Sequence, residues 1–349
     1  MNIFVLDKNP IAAATMMIDK HVVKMPTESF QMISTNLRWF GDLIMAKAIS
    51  PEILDMMKQF MDYRVYRCHH PFENNSYLRH MRRNLFEYDY TLQTLLETLY
   101  IRHKAKLYKS VMYNHPSTIW ARKFDGATYL WVHAYALCEE YSGRYSTISE
   151  DRSGVQSYRV HSVETRMNDV FPLYMMYCFF LAANEKIVDN QMYDPLWSDN
   201  TRYDDQTRVD RMNYVSRRFN YRGTNTDDIS VLDDDFGLVK YRPKPAMADK
   251  YKTYDRILSM DDVVDAYRQY YLNAKWSFAE WRDYHAQSYA VSVGAYKYVA
   301  KPRRPDWWPE DHILKMQMKE DARIEVFQMK LRERARQQNM ELGWQNDNV

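Results

Sequence analysis

Apolar side chains recur along most of this chain at intervals of three and four, the repeat of a helix that buries one side. The clearest case follows a break at Asn114-His115-Pro116. There Trp120, Phe124, Ala127, Trp131, Ala134, Cys138 and Tyr141 form a single stripe that faces a core. Ser117 or Thr118 stands where a cap for that helix belongs. Near the start, a short extended apolar piece (Ile3 to Leu6) precedes a helix that begins around Pro10, with proline early as helices favour it, and runs past His21. Pro26 has no amide donor and crowds the preceding turn, which predicts a kink or restart there. A second helical section then continues through Phe40. Residues 51–110 read as helices rich in Met, Tyr and Arg. The run FPLYMMYCFFLAAN, Phe171 to Asn184, is the most hydrophobic segment, yet Asp169 and Glu185 leave it short of a bilayer span. It reads as a buried helix, and no membrane is implied.

Further along, the period is lost. Residues 187–250 mix Asp204-Asp205, Asp227-Asp228 and Asp233 to Asp235 with Arg and Tyr, the composition of an irregular insertion rather than a second core. A helix resumes at Ser259 with Asp262 as its capping-box partner. Its buried stripe is Val264, Tyr267, Tyr271, Ala274, Phe278 and Trp281. Arg268, Lys275 and Arg282 line up on another face at intervals of seven. After the hinge KPRRPDWWP, residues Asp311 to Gln338 form a charged amphipathic tail helix. The expected fold is therefore mainly α. One helical core domain occupies 1–186 (with an insertion at about 44–110), followed by the Asp-rich insertion 187–250, a core-closing helix in 251–300, and the hinge and tail helix of 301–349.

Composition narrows the function. A hydrophobic content of 46% supports a real core, while a net charge of +2 means that any nucleic-acid surface has to come from local segregation of charge. Only 8 glycines occur, and neither a Walker loop nor a dinucleotide fingerprint is present, which removes nucleotide kinases and Rossmann enzymes. Cys68, Cys138 and Cys178 are too few and too scattered for a disulfide framework, as suits a reducing cytosol. MNIFVLDKNP lacks the basic-then-apolar order of a signal peptide. Cys68-His69-His70, with His80, has no zinc-type ligand spacing, so no metal or other cofactor is expected.

The stretch DKHVVKMPTES carries the candidate chemistry. On a continuous helix His21 and Glu28 lie about 20° apart in angle with Lys24 between them, so the three share one face. Taken alone, that is the pattern of a solvated charged face with a routine ion pair. A second polar row, Arg122, Tyr129, His133, Glu140 and Arg144, runs beside the aromatic stripe and by itself also reads as an exposed face.

The blocks MNIFVLDKNPIAAATMMIDKHVVKM, YNHPSTIWARKF, YLWVHAYALCEEYSGRYS and AYRQYYLNAKWSFAEW together resemble a family of tailed-phage proteins of unassigned function. The likeness covers about a third of the chain. The sequence departs from that pattern in having MPTES where a leucine usually precedes the glutamate, and in its long insertions. In order and spacing the blocks are also similar to the small all-helical phage pyrimidine-dimer DNA glycosylases of the endonuclease V type. Those enzymes carry an Asp-x-His early in the first long helix and a catalytic glutamate seven residues after the histidine.

That likeness implies Glu28 as acid, base or electrostatic stabiliser, with His21 its neighbour. Arg122 and Arg144 are then phosphate clamps, and Asn114, His115, His133, Arg268 and Lys275 are further nucleic-acid contacts. A lyase-type glycosylase needs an amine with some unprotonated fraction to attack sugar C1′, a carboxylate for the cationic sugar, and cations for phosphates. The N-terminal α-amine serves in the resembled enzymes. Asn2 is bulky and disfavours removal of Met1, which leaves the amine of Met1 or of Lys24. The implied role is a DNA glycosylase, lyase or base-modifying enzyme acting on duplex DNA in the cytoplasm of an infected bacterial host, with a protein partner for the tail helix. The alternatives are a non-catalytic nucleic-acid- or protein-binding factor and a virion or assembly component.

Overall fold

The computed structural model describes residues 3–62, 76–88, 91–145, 149–150, 156–157, 160–191, 247, 260–281 and 304–346. Local chemistry sets several of the helix starts. Asn9 caps α1 (Pro10–Thr15), its side-chain oxygen accepting from the amides of Ile11 and Ala12. Ser50 caps α3 (Pro51–Met61) with a proline directly after it. Thr91 caps α5 (Leu92–His103). Between these lie α2 (Asp19–Met45) and α4 (Ser76–Glu87). A short α6 (Pro116–Trp120) leads into α7 (Phe124–Tyr145), and a small antiparallel pair, β1 (Ser149–Glu150) with β2 (Gln156–Ser157), precedes α8 (Ser162–Gln191). The closing section is α9 (Met260–Tyr270), continued by a π-helical turn (Tyr271–Lys275) and a 3-10 turn (Trp276–Phe278); the tail is α10 (Glu310–Asn346). The described residues are mainly helical.

The long helix α7 is the axis of the core. Its aromatic stripe is buried as expected from Phe124 through Tyr141, and Trp120, which the sequence put on the same helix, is buried at the end of α6. Its second, polar row is buried too: Tyr129, His133, Glu140 and Arg144 are between 0% and 4% exposed. That overturns the solvated-face reading of the row. Helices α1, α2 and α8 pack around α7. In α8 the run from Leu173 to Leu181 is buried at every position, each large apolar side chain contributing about 1.5–3 kcal/mol to the core. Residues of α3, α4 and α5, including Met57, Met81 and Leu99, join the same hydrophobic cluster. Gly126 allows α6 and α7 to meet closely, since a Cβ there would stand 2.2 Å from the Trp120 carbonyl oxygen.

Several local expectations are corrected. The helix that starts at Pro10 ends at Thr15, and α2 then runs from Asp19 straight through Pro26. Pro26 removes the donor that would reach the carbonyl of Val22 but does not end the helix. The break lies upstream, where Arg144 collects the carbonyls of Thr15 and Met17 at 2.9 and 2.7 Å. His115, not Ser117 or Thr118, caps α6: its Nδ1 accepts from the Ser117 amide at 3.2 Å. The closing helix stops being α-helical after Tyr270. Val264, Tyr267 and Tyr271 are buried, but the π turn adds a residue and leaves Ala274, Phe278 and Trp281 only half-buried. The tail helix is longer than its pattern indicated. Ser259, Arg282, Cys68, His69, His70 and nearly all of the Asp-rich segment 187–250 lie outside the described residues. No helix among the described residues is long and apolar enough to cross a membrane.

Candidate functional site

Helix α2 supplies the floor of the site. Lys20, Lys24 and Glu28 come at steps of four, so they rise along one side of the helix over about 12 Å. Lys24 Nζ lies 2.7 Å from a Glu28 oxygen, and the two differ sharply in setting: the Lys24 side chain is 69% exposed, that of Glu28 only 13%. The pair is thus a partly desolvated carboxylate held under a freely approachable amine. His115 completes this part of the site. Burial pushes the His115 imidazole down in pKa, and Glu28 pulls it back up. Glu28 and His115, from separate sequence blocks, therefore share one electrostatic environment.

His21 stands two turns before Glu28 and faces inward. It is 8% exposed, with its ring stacked on Phe4 at 4.4 Å and its Nδ1 hydrogen-bonded to the Tyr271 hydroxyl at 2.5 Å. Burial, followed by the charges of Lys275 and Lys24, lowers its pKa to about 3. A neutral buried imidazole of this kind orients the start of α2 and Tyr271; it stays uncharged at neutral pH. Tyr271 also reaches the sulfur of Met17. The extended piece Ile3–Leu6 is trapped beside it, with Phe4 packed against Tyr267, Tyr270 and Tyr271.

Lysines gather at this end. Lys275, carried on the π turn, lies over the Tyr270 ring at 5.0 Å and the Phe278 ring at 5.7 Å; Lys20 lies over the same Phe278 ring at 4.7 Å. Among the described residues, neither makes an ion pair with a carboxylate. Two ammonium groups around one ring concentrate positive charge there. Sequence reasoning named Lys275 and passed over Lys20, which stands four residues before Lys24.

At the other end, Arg122 is fixed in a polar and aromatic slot. Its Nε donates to Asn36 at 3.1 Å, its Nη2 donates to the Tyr113 carbonyl, and its guanidinium lies 3.5 Å from the Tyr113 ring centroid and 5.7 Å from that of Trp39. Asn36 is buried and uses its amide to reach the Thr118 carbonyl. Asn114 is exposed beside His115.

Three anticipated contacts have other work. Arg144 is fully buried and is no phosphate clamp. It pairs with Asp19 at 3.0 Å and Glu140 at 2.9 Å, and its remaining donors hold the junction between α1 and α2. Arg268 donates to the Leu6 carbonyl at 2.9 Å and meets Asp7 at 3.3 Å, so it fastens the N-terminal piece. His133 is wholly buried, stacked on Tyr129, with neither ring nitrogen hydrogen-bonded; burial lowers its pKa to about 3. It is a core side chain. Met1 lies outside the described residues. No cluster of metal-ligating side chains occurs among the described residues. No family model, curated protein or solved structure matches the chain.

Proposed function

We propose that the chain is a DNA-processing enzyme of the glycosylase or lyase type, with its chemistry centred on Glu28. One observation carries the reading: a carboxylate whose side chain is only 13% exposed lies 2.7 Å from an exposed amine. Lys20 and Lys275 supply phosphate contacts on one side of this centre, Arg122 and Asn114 contacts on the other. Together they suit a single strand, or one strand of an opened duplex, laid along α2.

The chemistry balances on these groups. At an abasic sugar the amine nitrogen bonds to C1′ of the ring-opened aldehyde, and one water leaves to give an imine. Loss of a proton from C2′ then expels the 3′ phosphate. Glu28 moves these protons and stabilises the cationic imine, work worth about a hundred- to ten-thousandfold in rate. At an intact nucleotide the same nitrogen displaces the base, which departs with a proton. The amine is that of Lys24 or of Met1. Glu28, 2.7 Å from the Lys24 nitrogen, is placed to take the proton that Lys24 must lose.

Incubation with abasic-site and base-modified duplexes in the presence of borohydride tests this. A trapped covalent adduct is expected, reduced at least a hundredfold in rate by Glu28→Gln. Mass spectrometry of the adduct assigns the amine to the N-terminal peptide or to the one bearing Lys24. Absence of any adduct, with Glu28→Gln indistinguishable from wild type, sinks the reading.

The tail has its own observation. In α10, Leu314, Met318, Ile324, Val326, Phe327, Met329 and Leu331 are 47–64% exposed. A protein partner on this helix is the reading that best accounts for so much uncovered apolar surface.

A further inference from the structure

The turn before His115 is strained and closely held. Met112 has a backbone φ of 50°, a left-handed conformation that a methionine adopts only when its surroundings impose it. Those surroundings are visible. The Thr35 hydroxyl accepts from the Val111 amide at 3.1 Å and lies 3.0 Å from the Val111 carbonyl. The His115 amide closes the turn onto the Met112 carbonyl at 2.9 Å, and Arg122 holds the Tyr113 carbonyl. A strained and tightly anchored turn therefore projects Met112 and Tyr113, 52% and 42% exposed, next to Ile119 at 47%. Burial does not account for that strain, since the side chains it positions face solvent.

Tyr113 is also prepared on one side. The Arg122 guanidinium covers one face of the ring at 3.5 Å, while Arg122 is itself fixed by Asn36. Among the described residues no other ring lies against Tyr113. A ring backed by a cation and clamped through its own carbonyl loses little freedom when a second flat group stacks on its open face. That flat group is expected to carry or neighbour negative charge, because no carboxylate pairs with Arg122 in the described residues.

We infer that Tyr113 is a stacking platform for one unpaired nucleobase, with Met112 and Ile119 flanking it as apolar contacts. The inference rests on the DNA reading and specifies it. The substrate is a strand with a base out of the duplex stack, and the turn holds that base about one residue in sequence from Asn114 and His115. Aromatic stacking of this kind is sequence-tolerant and changes affinity by roughly ten- to a hundredfold per base.

The experiment uses the full chain and oligonucleotides carrying 2-aminopurine, whose fluorescence reports stacking. One set is single-stranded; the other places 2-aminopurine opposite or beside a stable abasic analogue in a duplex. Binding is expected to alter the fluorescence at one position. Tyr113→Ala is expected to abolish that change and weaken binding about tenfold or more, while Tyr113→Phe retains both. If no 2-aminopurine position responds, or if Tyr113→Ala matches wild type, the platform is refuted. An adduct trapped by borohydride in a protein whose Tyr113→Ala variant stacks normally refutes the platform and leaves the enzyme reading standing. Stacking that depends on Tyr113, without any adduct, refutes only the chemistry. The exposed position of Tyr113 makes misfolding of the alanine variant easy to recognise by circular dichroism.

Discussion

Replacing Arg144 by methionine separates the two roles that its place in the sequence permits. In the fold, Arg144 is 0% exposed and faces two carboxylates, Asp19 and Glu140, each with a side chain 4% exposed. It also serves the carbonyls of Thr15 and Met17. Methionine keeps much of the volume and removes the charge, so two buried carboxylates lose their cation. Breaking a buried ion pair from one side costs about 3–5 kcal/mol, a large part of the roughly 5–15 kcal/mol that holds a domain folded. Urea denaturation followed by circular dichroism measures it through the transition midpoint. Adding Asp19→Asn and Glu140→Gln to the variant should recover part of the loss, because neutral side chains tolerate burial better. A phosphate clamp would behave otherwise: stability would hold, and DNA affinity would fall with a shallower salt dependence. A change in stability below about 1 kcal/mol in the single variant refutes the structural role assigned here.

Acid should weaken the fold through His21 and His133. Both have folded-state pKa values of about 3, below the unfolded value of 6.5, so the unfolded chain binds more protons between those limits. Their stabilising effect is complete above pH 6.5 and is lost as pH falls towards 3. At pH 4.5 the loss amounts to about 2–3 kcal/mol for each. His133→Leu, which breaks no hydrogen bond, should flatten this dependence in denaturation series run from pH 7 to 4. Gly126→Ala should cost about 1–3 kcal/mol or more, since the added methyl meets the Trp120 backbone rather than a yielding side chain; thermal melts check this. Ending the chain after Pro309 removes an exposed helix and keeps Trp307 and Trp308, so the melting temperature should stay within a few degrees while any partner held by α10 is lost.

The aromatic stripe of α7 was legible because a three-and-four repeat directly encodes which side is buried. Its polar row was not. Arg122, His133, Glu140 and Arg144 at helical spacing describe a wet face until the partners of Arg144 are known, and Asp19 lies 125 residues away. The break at Met16 to Ile18 has no local signal for the same reason, whereas Pro26 gives a strong local signal that packing overrides. The π turn is invisible in periodicity, since one added residue shifts the register only after Tyr271. The grouping of His21, Lys24 and Glu28 on one helix could be read directly. The inward aim of His21 and the company of His115 depend on tertiary packing, and Tyr113 stood in plain view beside a motif that drew attention to its neighbours instead.

The first residues of this protein are fastened by some of its last. Leu6 is gripped by Arg268, His21 by Tyr271, and the Met16 carbonyl by the Trp281 indole, contacts between 250 and 265 positions apart along the chain. During synthesis, then, Leu6, Met16 and His21 meet these partners only once α9 and the turns after it emerge, some 250 residues later. A premature stop anywhere before α9 leaves an open clasp, and such a fragment is expected to be degraded rather than to act as a smaller version of the whole.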